Sequence, residues 1–136
     1  MQLSEVVVLE DNEFAASVIR RTLELAGYRC VEVRSAQDTL EYCRTNEEKV
    51  RAIILDLILP GCRGTDVALQ VAQHCPGVRV LFVSGTPYEA WPENEFRKVC
   101  ALPAGMAGFL GKPFRPNAMI DKLAELLDGR SKTPVS

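Results

Sequence analysis

Short apolar runs alternate with amphipathic stretches along the chain, and this alternation limits the possible folds more than any other feature of the sequence. There are five such runs: VVVLED at 6–11, CVEV at 30–33, AIILD at 52–56, VRVLFVSG at 78–85 and a short run around Phe109 and Leu110. Most of them show little polar–apolar alternation, which is typical of strands buried on both faces. The sequence therefore predicts an α/β protein whose parallel sheet is covered by helices on both sides.

The segment between the fourth and fifth runs, residues 86–104, departs from this regular pattern. It contains Pro87, Pro92 and Pro103, and a proline inside a regular helix disrupts it. We therefore expect a fourth helix that is shortened, shifted or partly unwound. The other segments carry ordinary helix signals, such as the capping pattern that begins at Ser35.

Composition narrows the functional classes. The 136 residues are 47% hydrophobic and 25% charged, as is ordinary for one globular domain. No apolar run approaches the roughly 18 residues of a membrane helix, and the first residues lack a signal-peptide pattern, so we expect a cytoplasmic protein. The net charge of −2 disfavours nucleic acid as a direct partner. Five cysteines without a C-x-x-C pair suit reduced thiols.

Polar side chains stand at the ends of three predicted strands and directly after a fourth one. Glu10 and Asp11 end the first strand, and Asp56 ends the third. Ser84 ends the fourth strand, and Lys112 follows the fifth. The carboxyl ends of parallel strands meet at one edge of a sheet. Carboxylates suit Mg²⁺, and a hydroxyl and an ammonium suit phosphoryl oxygens. The pattern indicates phosphoryl transfer to a carboxylate nucleophile.

The pieces VVVLEDNE, LDLILPGCRG, VLFVSG and AGMAGFLGKPF, in this order, resemble the receiver domains of two-component response regulators, the CheY-like family. The resemblance covers roughly residues 6–127. It implies a flavodoxin-like, doubly wound, five-stranded parallel sheet of order 2-1-3-4-5. We assign residues 1–129 to this domain and expect residues 130–136 to form a disordered tail.

The resemblance also implies roles for individual residues. Asp56 would be the phosphoacceptor, which explains why a carboxylate that is costly to bury is kept inside an apolar run. Asp11 and Asp56 would bind Mg²⁺ directly, and Glu10 would act mainly through water. The backbone carbonyl of Ile58 would be a further ligand.

The remaining site residues follow in the same way. Ser84 and Lys112 would bind the phosphoryl group. Ser84 would also act as the switch hydroxyl, with Phe109 as the aromatic switch. The resemblance further implies a cis Lys112-Pro113 peptide bond.

A phosphorylated signalling domain, and not a conventional enzyme, is the expected function. The phosphoryl group would come from a phosphohistidine on a separate histidine kinase or histidine phosphotransfer protein, because the only histidine, His74, is a poor internal donor at a predicted helix end. The output would be a protein effector or an output domain absent from this sequence.

In the family, the positions of Ile58 and Thr86 tune hydrolysis of the acyl phosphate. An apolar Ile58 cannot orient water, so we expect slow autodephosphorylation.

Three other interpretations remain open from the residues. A degenerate receiver would bind proteins independently of phosphorylation, but the acids, serine and lysine are all present. An aspartate-nucleophile phosphohydrolase would require a second acid two residues after Asp56, where Ile58 stands. A flavin-binding protein would require a phosphate-cradling loop after the first strand, and EDNEF is acidic and lacks glycine.

Overall fold

The computed structural model describes residues 3–128, and its elements alternate as the sequence predicts. The strands are β1 (Glu5–Leu9), β2 (Arg29–Val33), β3 (Val50–Asp56), β4 (Ile58–Leu59), β5 (Cys62–Arg63), β6 (Arg79–Ser84) and β7 (Ala107–Gly111). The helices are α1 (Glu13–Leu25), α2 (Ala36–Thr45), α3 (Gly64–His74), α4 (Glu93–Cys100) and α5 (Pro116–Asp128), with a 3₁₀ turn at Tyr88–Ala90.

Five of the strands form one parallel sheet in the order β2-β1-β3-β6-β7. The two shortest strands, β4 and β5, form a separate antiparallel hairpin after β3, which the sequence did not predict. Without this hairpin the order is the predicted 2-1-3-4-5, so the flavodoxin-like fold is confirmed. The chain leaves β1 toward β2 on one side and returns to β3 on the other. The switch point therefore lies between the carboxyl ends of β1 and β3.

The core has one layer on each side of the sheet, as the apolar strands predict. Val6 and Val8 of β1 pack with Ile19 of α1 and Leu123 of α5 on one side. The alternate side chains of the same strand, beginning with Val7, join the layer under α2 and α3. The sheet is therefore a rigid, doubly covered platform, and its carboxyl edge holds the residues that follow it in fixed positions.

The region between β6 and β7 is irregular in the predicted way. Pro87 and Pro92 stand directly before the 3₁₀ turn and the eight-residue helix α4, where they cap rather than break a helix. Trp91 between them is 6% exposed and packs into the core. The expectation of a shortened fourth helix is confirmed. The predicted tail at 130–136 lies outside the described residues.

Gly64 lets α3 begin against the end of β3. A Cβ atom at this position would lie 2.1 Å from the backbone oxygen of Asp56 and 2.7 Å from Leu55 Cδ1. The backbone N–H of Gly64 also donates to the carbonyl of Leu57 at 2.6 Å. A side chain at this residue would displace the segment that carries Asp56, so glycine is required there for close approach.

Candidate acidic phosphoacceptor site

Strand register brings the predicted site residues to one edge of the sheet. Leu9 of β1 pairs with Leu55 of β3, so the residues that follow, Glu10 and Asp56, lie side by side. Ser84 is the last residue of β6 and pairs with Gly111, the residue before Lys112. The backbone N–H of Lys112 donates to the carbonyl of Ser84 at 2.8 Å. Three strand ends thus position the acids and the lysine together.

The ammonium of Lys112 lies between two carboxylates. Its Nζ is 2.8 Å from Glu10 Oε1 and 2.8 Å from Asp56 Oδ2. The side chains of Glu10 and Asp56 are only 3% and 15% exposed, whereas Asp11 is exposed. The peptide bond between Lys112 and Pro113 is cis. A single cation therefore compensates two largely buried negative charges.

The pKa values of the two acids move in opposite directions. Burial raises the pKa of Asp56 to about 6; the neighbouring Glu10 charge adds to this, and the hydrogen bond from Lys112 opposes it. Burial acts in the same direction on Glu10, but hydrogen bonds from Lys112 and the Asn12 backbone outweigh it and lower the pKa of Glu10. For Lys112, desolvation is outweighed by its two carboxylate partners, and its pKa is raised. Of these two acids, Asp56 is thus the one whose charge is less well compensated.

The three carboxylates suit a divalent cation. One oxygen each from Glu10, Asp11 and Asp56 can be chosen so that all three lie within 4.8 Å of one another. A set of hard, anionic oxygen atoms of this kind fits Mg²⁺. Ile58, whose carbonyl the resemblance adds to the set, lies in β4 with an exposed side chain. The role of its carbonyl stays a prediction.

The predicted switch residues lie beside this cluster. The Ser84 hydroxyl oxygen accepts a hydrogen bond from the backbone N–H of Thr86 at 3.0 Å. Phe109 is half-buried in β7 and stacks on Tyr88, with ring centroids 4.0 Å apart. A cavity of about 290 Å³ lies between these residues and Lys112. The roles of Ser84 and Phe109 as switches stay predictions.

Sequence reasoning missed two features around the site. Glu95 in α4 is 2% exposed and accepts a hydrogen bond from the Thr65 hydroxyl in α3. Tyr88 and Trp91 pack against Phe109. A glutamate in a short helix whose residues are mostly polar is expected to be solvated, and aromatic residues in a proline-rich loop carry no periodicity. Only the tertiary structure reveals either one.

The fold and the site define a flavodoxin-like α/β protein with an acidic cluster at its switch point. A family model described as "Response regulator receiver domain" matches residues 6–124. The chain therefore belongs to the response regulator receiver domain family of two-component systems, which confirms the resemblance seen in the sequence.

Individual relatives agree with this assignment. The chain is 26% identical over 123 residues to the alkaline phosphatase synthesis transcriptional regulatory protein PhoP of Bacillus subtilis, covering 90% of this chain and 48% of that protein. It is 32% identical over 122 residues to the sensory/regulatory protein RpfC of Xanthomonas campestris, covering 89% of this chain and 16% of that protein. The chain thus spans half or less of these relatives.

Solved structures share the fold. A CheY-like response regulator receiver domain protein from Methanospirillum hungatei has a TM-score of 0.78 at 24% identity, with 94% of this chain and 96% of that chain covered. A receiver domain protein from Clostridium thermocellum has a TM-score of 0.79 at 18% identity, with 93% and 96% covered. Among the described residues, no helix has the length and apolar character needed to cross a membrane.

Asp56→Asn removes the less well compensated of the Glu10 and Asp56 charges at nearly constant shape. In chelator above about pH 6 we expect the variant to be more stable than the wild type by about 1 kcal/mol, the scale of one pKa unit after allowance for solvent screening. The stability of the wild type falls as pH rises from about 4 to 6, because its folded state holds the Asp56 proton more tightly than the unfolded chain. The advantage of Asp56→Asn develops over the same pH range. Thermal melts across this pH range measure the difference.

The same thermal melts are repeated in millimolar Mg²⁺. The ion should stabilise the wild type in a concentration-dependent way. The stability advantage of Asp56→Asn should shrink, because this variant has lost a metal ligand. Asp38→Asn, which removes an exposed charge at the start of α2, is the matched control and should gain no stability in chelator. If Asp56→Asn melts below the wild type in chelator and Mg²⁺ stabilises neither protein, the three acids do not form one metal site.

Proposed function

We propose that this receiver domain accepts a phosphoryl group on Asp56 from a phosphohistidine of a separate protein, with Mg²⁺ bound beside it. The observation that carries the proposal is the position of the Asp56 carboxylate. It is hydrogen-bonded to Lys112 at 2.8 Å and shares an oxygen cluster with Glu10 and Asp11. A buried carboxylate next to two acids is costly unless a cation and a phosphoryl group use the arrangement.

The residues divide the chemistry between them. Glu10, Asp11, Asp56 and the carbonyl of Ile58 would hold Mg²⁺, which when bound supplies positive charge that offsets the acids and the phosphoryl oxygens. An oxygen of Asp56 attacks phosphorus and forms a P–O bond. The P–N bond to the donor imidazole breaks, and its electron pair returns to the imidazole nitrogen. With a pKa of about 6, Asp56 is mostly ionised at pH 7 and able to attack.

Lys112 and Ser84 bind the transferred group in this proposal. The Lys112 ammonium lies where it can exchange a carboxylate partner for a phosphoryl oxygen. The Ser84 hydroxyl would donate a hydrogen bond to another phosphoryl oxygen. Phe109 would then change its side-chain rotamer as the aromatic switch. Ile58 presents an apolar, exposed side chain that orients no water, which supports slow autodephosphorylation.

The exposed face of α1 suits docking of the protein donor. Phe14 is 79% exposed, and Val18, one turn further along the same face, is also exposed. Phe14 follows Asp11 by three residues, so this apolar face begins beside the acidic cluster. A contiguous exposed apolar patch is typical of a protein interface, and Phe14 and Val18 are neighbours on one face of the helix. The donor would be a histidine kinase or a histidine phosphotransfer protein in the cytoplasm, and the output a protein effector or an attached domain.

Phosphorylation of Asp56 is tested with a small acyl phosphate donor such as acetyl phosphate. We expect intact-mass analysis to find one added phosphoryl group, dependent on Mg²⁺ and absent in Asp56→Ala. Asp66→Ala, which changes an exposed aspartate of α3, is the control and should be labelled like the wild type. Equal labelling of Asp56→Ala would exclude Asp56 as the acceptor. No labelling of the wild type, together with no beryllofluoride binding, would favour a degenerate receiver.

The docking surface is tested by comparing two kinds of donor. Phe14→Ser should slow phosphoryl transfer from a phosphorylated histidine phosphotransfer protein by at least about tenfold, since burial of one large apolar side chain is worth about 1.5–3 kcal/mol and each 1.4 kcal/mol is about tenfold. Labelling by acetyl phosphate should not change, because the chemistry is intact. Leu25→Ser is the matched control for Phe14→Ser, because Leu25 is 80% exposed at the other end of α1. This substitution should change neither rate. Equal transfer rates for wild type and Phe14→Ser would exclude this face.

A further inference from the structure

Four aromatic rings form a continuous stack from the core to the surface beside the site. Phe82, Phe109, Tyr88 and Phe96 follow one another with interplanar angles of 10°, 22° and 17°. The centroid distances between successive rings are 5.6, 4.0 and 4.6 Å. Trp91 packs edge-on against three of them. The half-buried Phe109 ring is therefore in contact with two side chains, Tyr88 and Trp91, from the segment between β6 and α4.

Two hydrogen bonds connect this stack to Ser84. The indole Nε1–H of Trp91 donates to the backbone carbonyl of Thr86 at 3.0 Å. The backbone N–H of the same Thr86 donates to the Ser84 hydroxyl oxygen at 3.0 Å. A movement of the Ser84 hydroxyl toward a group on Asp56 would thus disturb its hydrogen bond with Thr86. A displacement of Thr86 would in turn disturb the hydrogen bond from Trp91.

We propose that Trp91 and Tyr88 form a latch, defined as the Trp91–Thr86–Ser84 hydrogen bonds together with the Tyr88–Phe109 stack, that holds the resting position of Ser84 and opposes phosphoryl binding at Asp56. Trp91 and Tyr88 are positioning residues, because neither touches the acids. The proposal rests on the proposed function of Asp56, since the latch restrains a response to the phosphoryl group.

The direction of the effect follows from the hydrogen bonds. In this structure the Ser84 oxygen is engaged by Thr86, and the Lys112 ammonium by Glu10 and Asp56. Ser84 therefore stands in a resting arrangement that the Trp91 hydrogen bond stabilises. When only a fraction of molecules has the binding-competent arrangement, ligand affinity falls by that fraction. Loss of the latch should raise the affinity for a phosphoryl group or its mimic.

A second attachment holds α4 independently of the rings. The buried Glu95 carboxylate accepts a hydrogen bond from Thr65 and lies 3.9 Å from Arg63 and 3.6 Å from Lys98. Lys98 in turn pairs with Asp66 of α3 at 3.1 Å. These contacts fix α4 on α3, so the latch can open by movement of residues 86–91 while the helix stays in place.

The wild-type protein carries its own probe of the latch, because Trp91 is the only tryptophan. Beryllofluoride with Mg²⁺ mimics the aspartyl phosphate and should shift the emission of Trp91 to longer wavelength as the indole leaves its buried position. Asp56→Asn should show no shift. Binding that is visible by amide NMR at Asp56 without any change in Trp91 emission would overturn the latch and leave the proposed function intact.

Trp91→Phe isolates the hydrogen bond, because it keeps an aromatic ring and removes the N–H donor. We expect about fivefold tighter beryllofluoride binding, measured by amide NMR titration, which corresponds to about 1 kcal/mol, the net value of one hydrogen bond. Tyr88→Leu, which removes the stack from a half-buried loop residue, should also tighten binding. Tightening by both variants supports the latch.

Tyr42→Phe is the matched control for simple loss of stability. It removes a ring-borne donor that bonds Glu5 at 2.7 Å, remote from the carboxyl edge, so it should lower the melting temperature without changing beryllofluoride affinity. Unchanged or weaker binding by Trp91→Phe and Tyr88→Leu overturns the proposal. Equal tightening by Tyr42→Phe also overturns it, because the effect would then follow stability. If the wild type binds no beryllofluoride and accepts no phosphoryl group, the proposed function fails, and the latch fails with it.

Discussion

Mutual repulsion among carboxylates at one sheet edge connects the strand order of this protein to the chemistry of its site. The strand order places Glu10 next to Asp56, in surroundings where an uncompensated charge is expensive. The nearest compensation is the Lys112 ammonium, 2.8 Å from both, and it comes from the end of β7. That position requires β7 to pair with β6 in the observed register, with the Lys112 backbone bonded to Ser84. The strand order and register of the sheet therefore also determine the charge balance of the site.

The compensation is incomplete, and this incompleteness is what suits the site to ligands. The Lys112 ammonium contacts two of the three clustered acids, Glu10 and Asp56, and the pKa of Asp56 stays raised to about 6. A divalent cation would remove the remaining repulsion, and the lysine would then be available to a phosphoryl oxygen. The membership of the chain in the receiver family agrees with this chemistry. The irregular region between β6 and β7 adds features of its own, namely Tyr88 and Trp91 packed against Phe109 and the buried Glu95.

Much of this could be predicted from the sequence, for identifiable reasons. The short apolar runs and the prolines at 87 and 92 act locally, so the sheet and the shortened fourth helix were predictable. The clustering of Glu10, Asp56 and Lys112 followed from the rule that strand ends meet at one edge. The close approach at Gly64 and the burial of Glu95 depend on distances between elements far apart in the chain. Neither leaves a periodic signal, and the β4–β5 hairpin is too short to leave one.

In the proposed function, the acids, the lysine and the serine form one site for a metal ion and a phosphoryl group. A crystal structure of the protein grown with Mg²⁺ and beryllofluoride would show whether they do. We expect beryllium bonded to a carboxylate oxygen of Asp56 and a metal ion in contact with Asp11 and Asp56. We also expect the Lys112 ammonium to contact a fluorine atom. Beryllofluoride bound elsewhere, or Lys112 still holding both Glu10 and Asp56 with the ligand present, would contradict the proposed function.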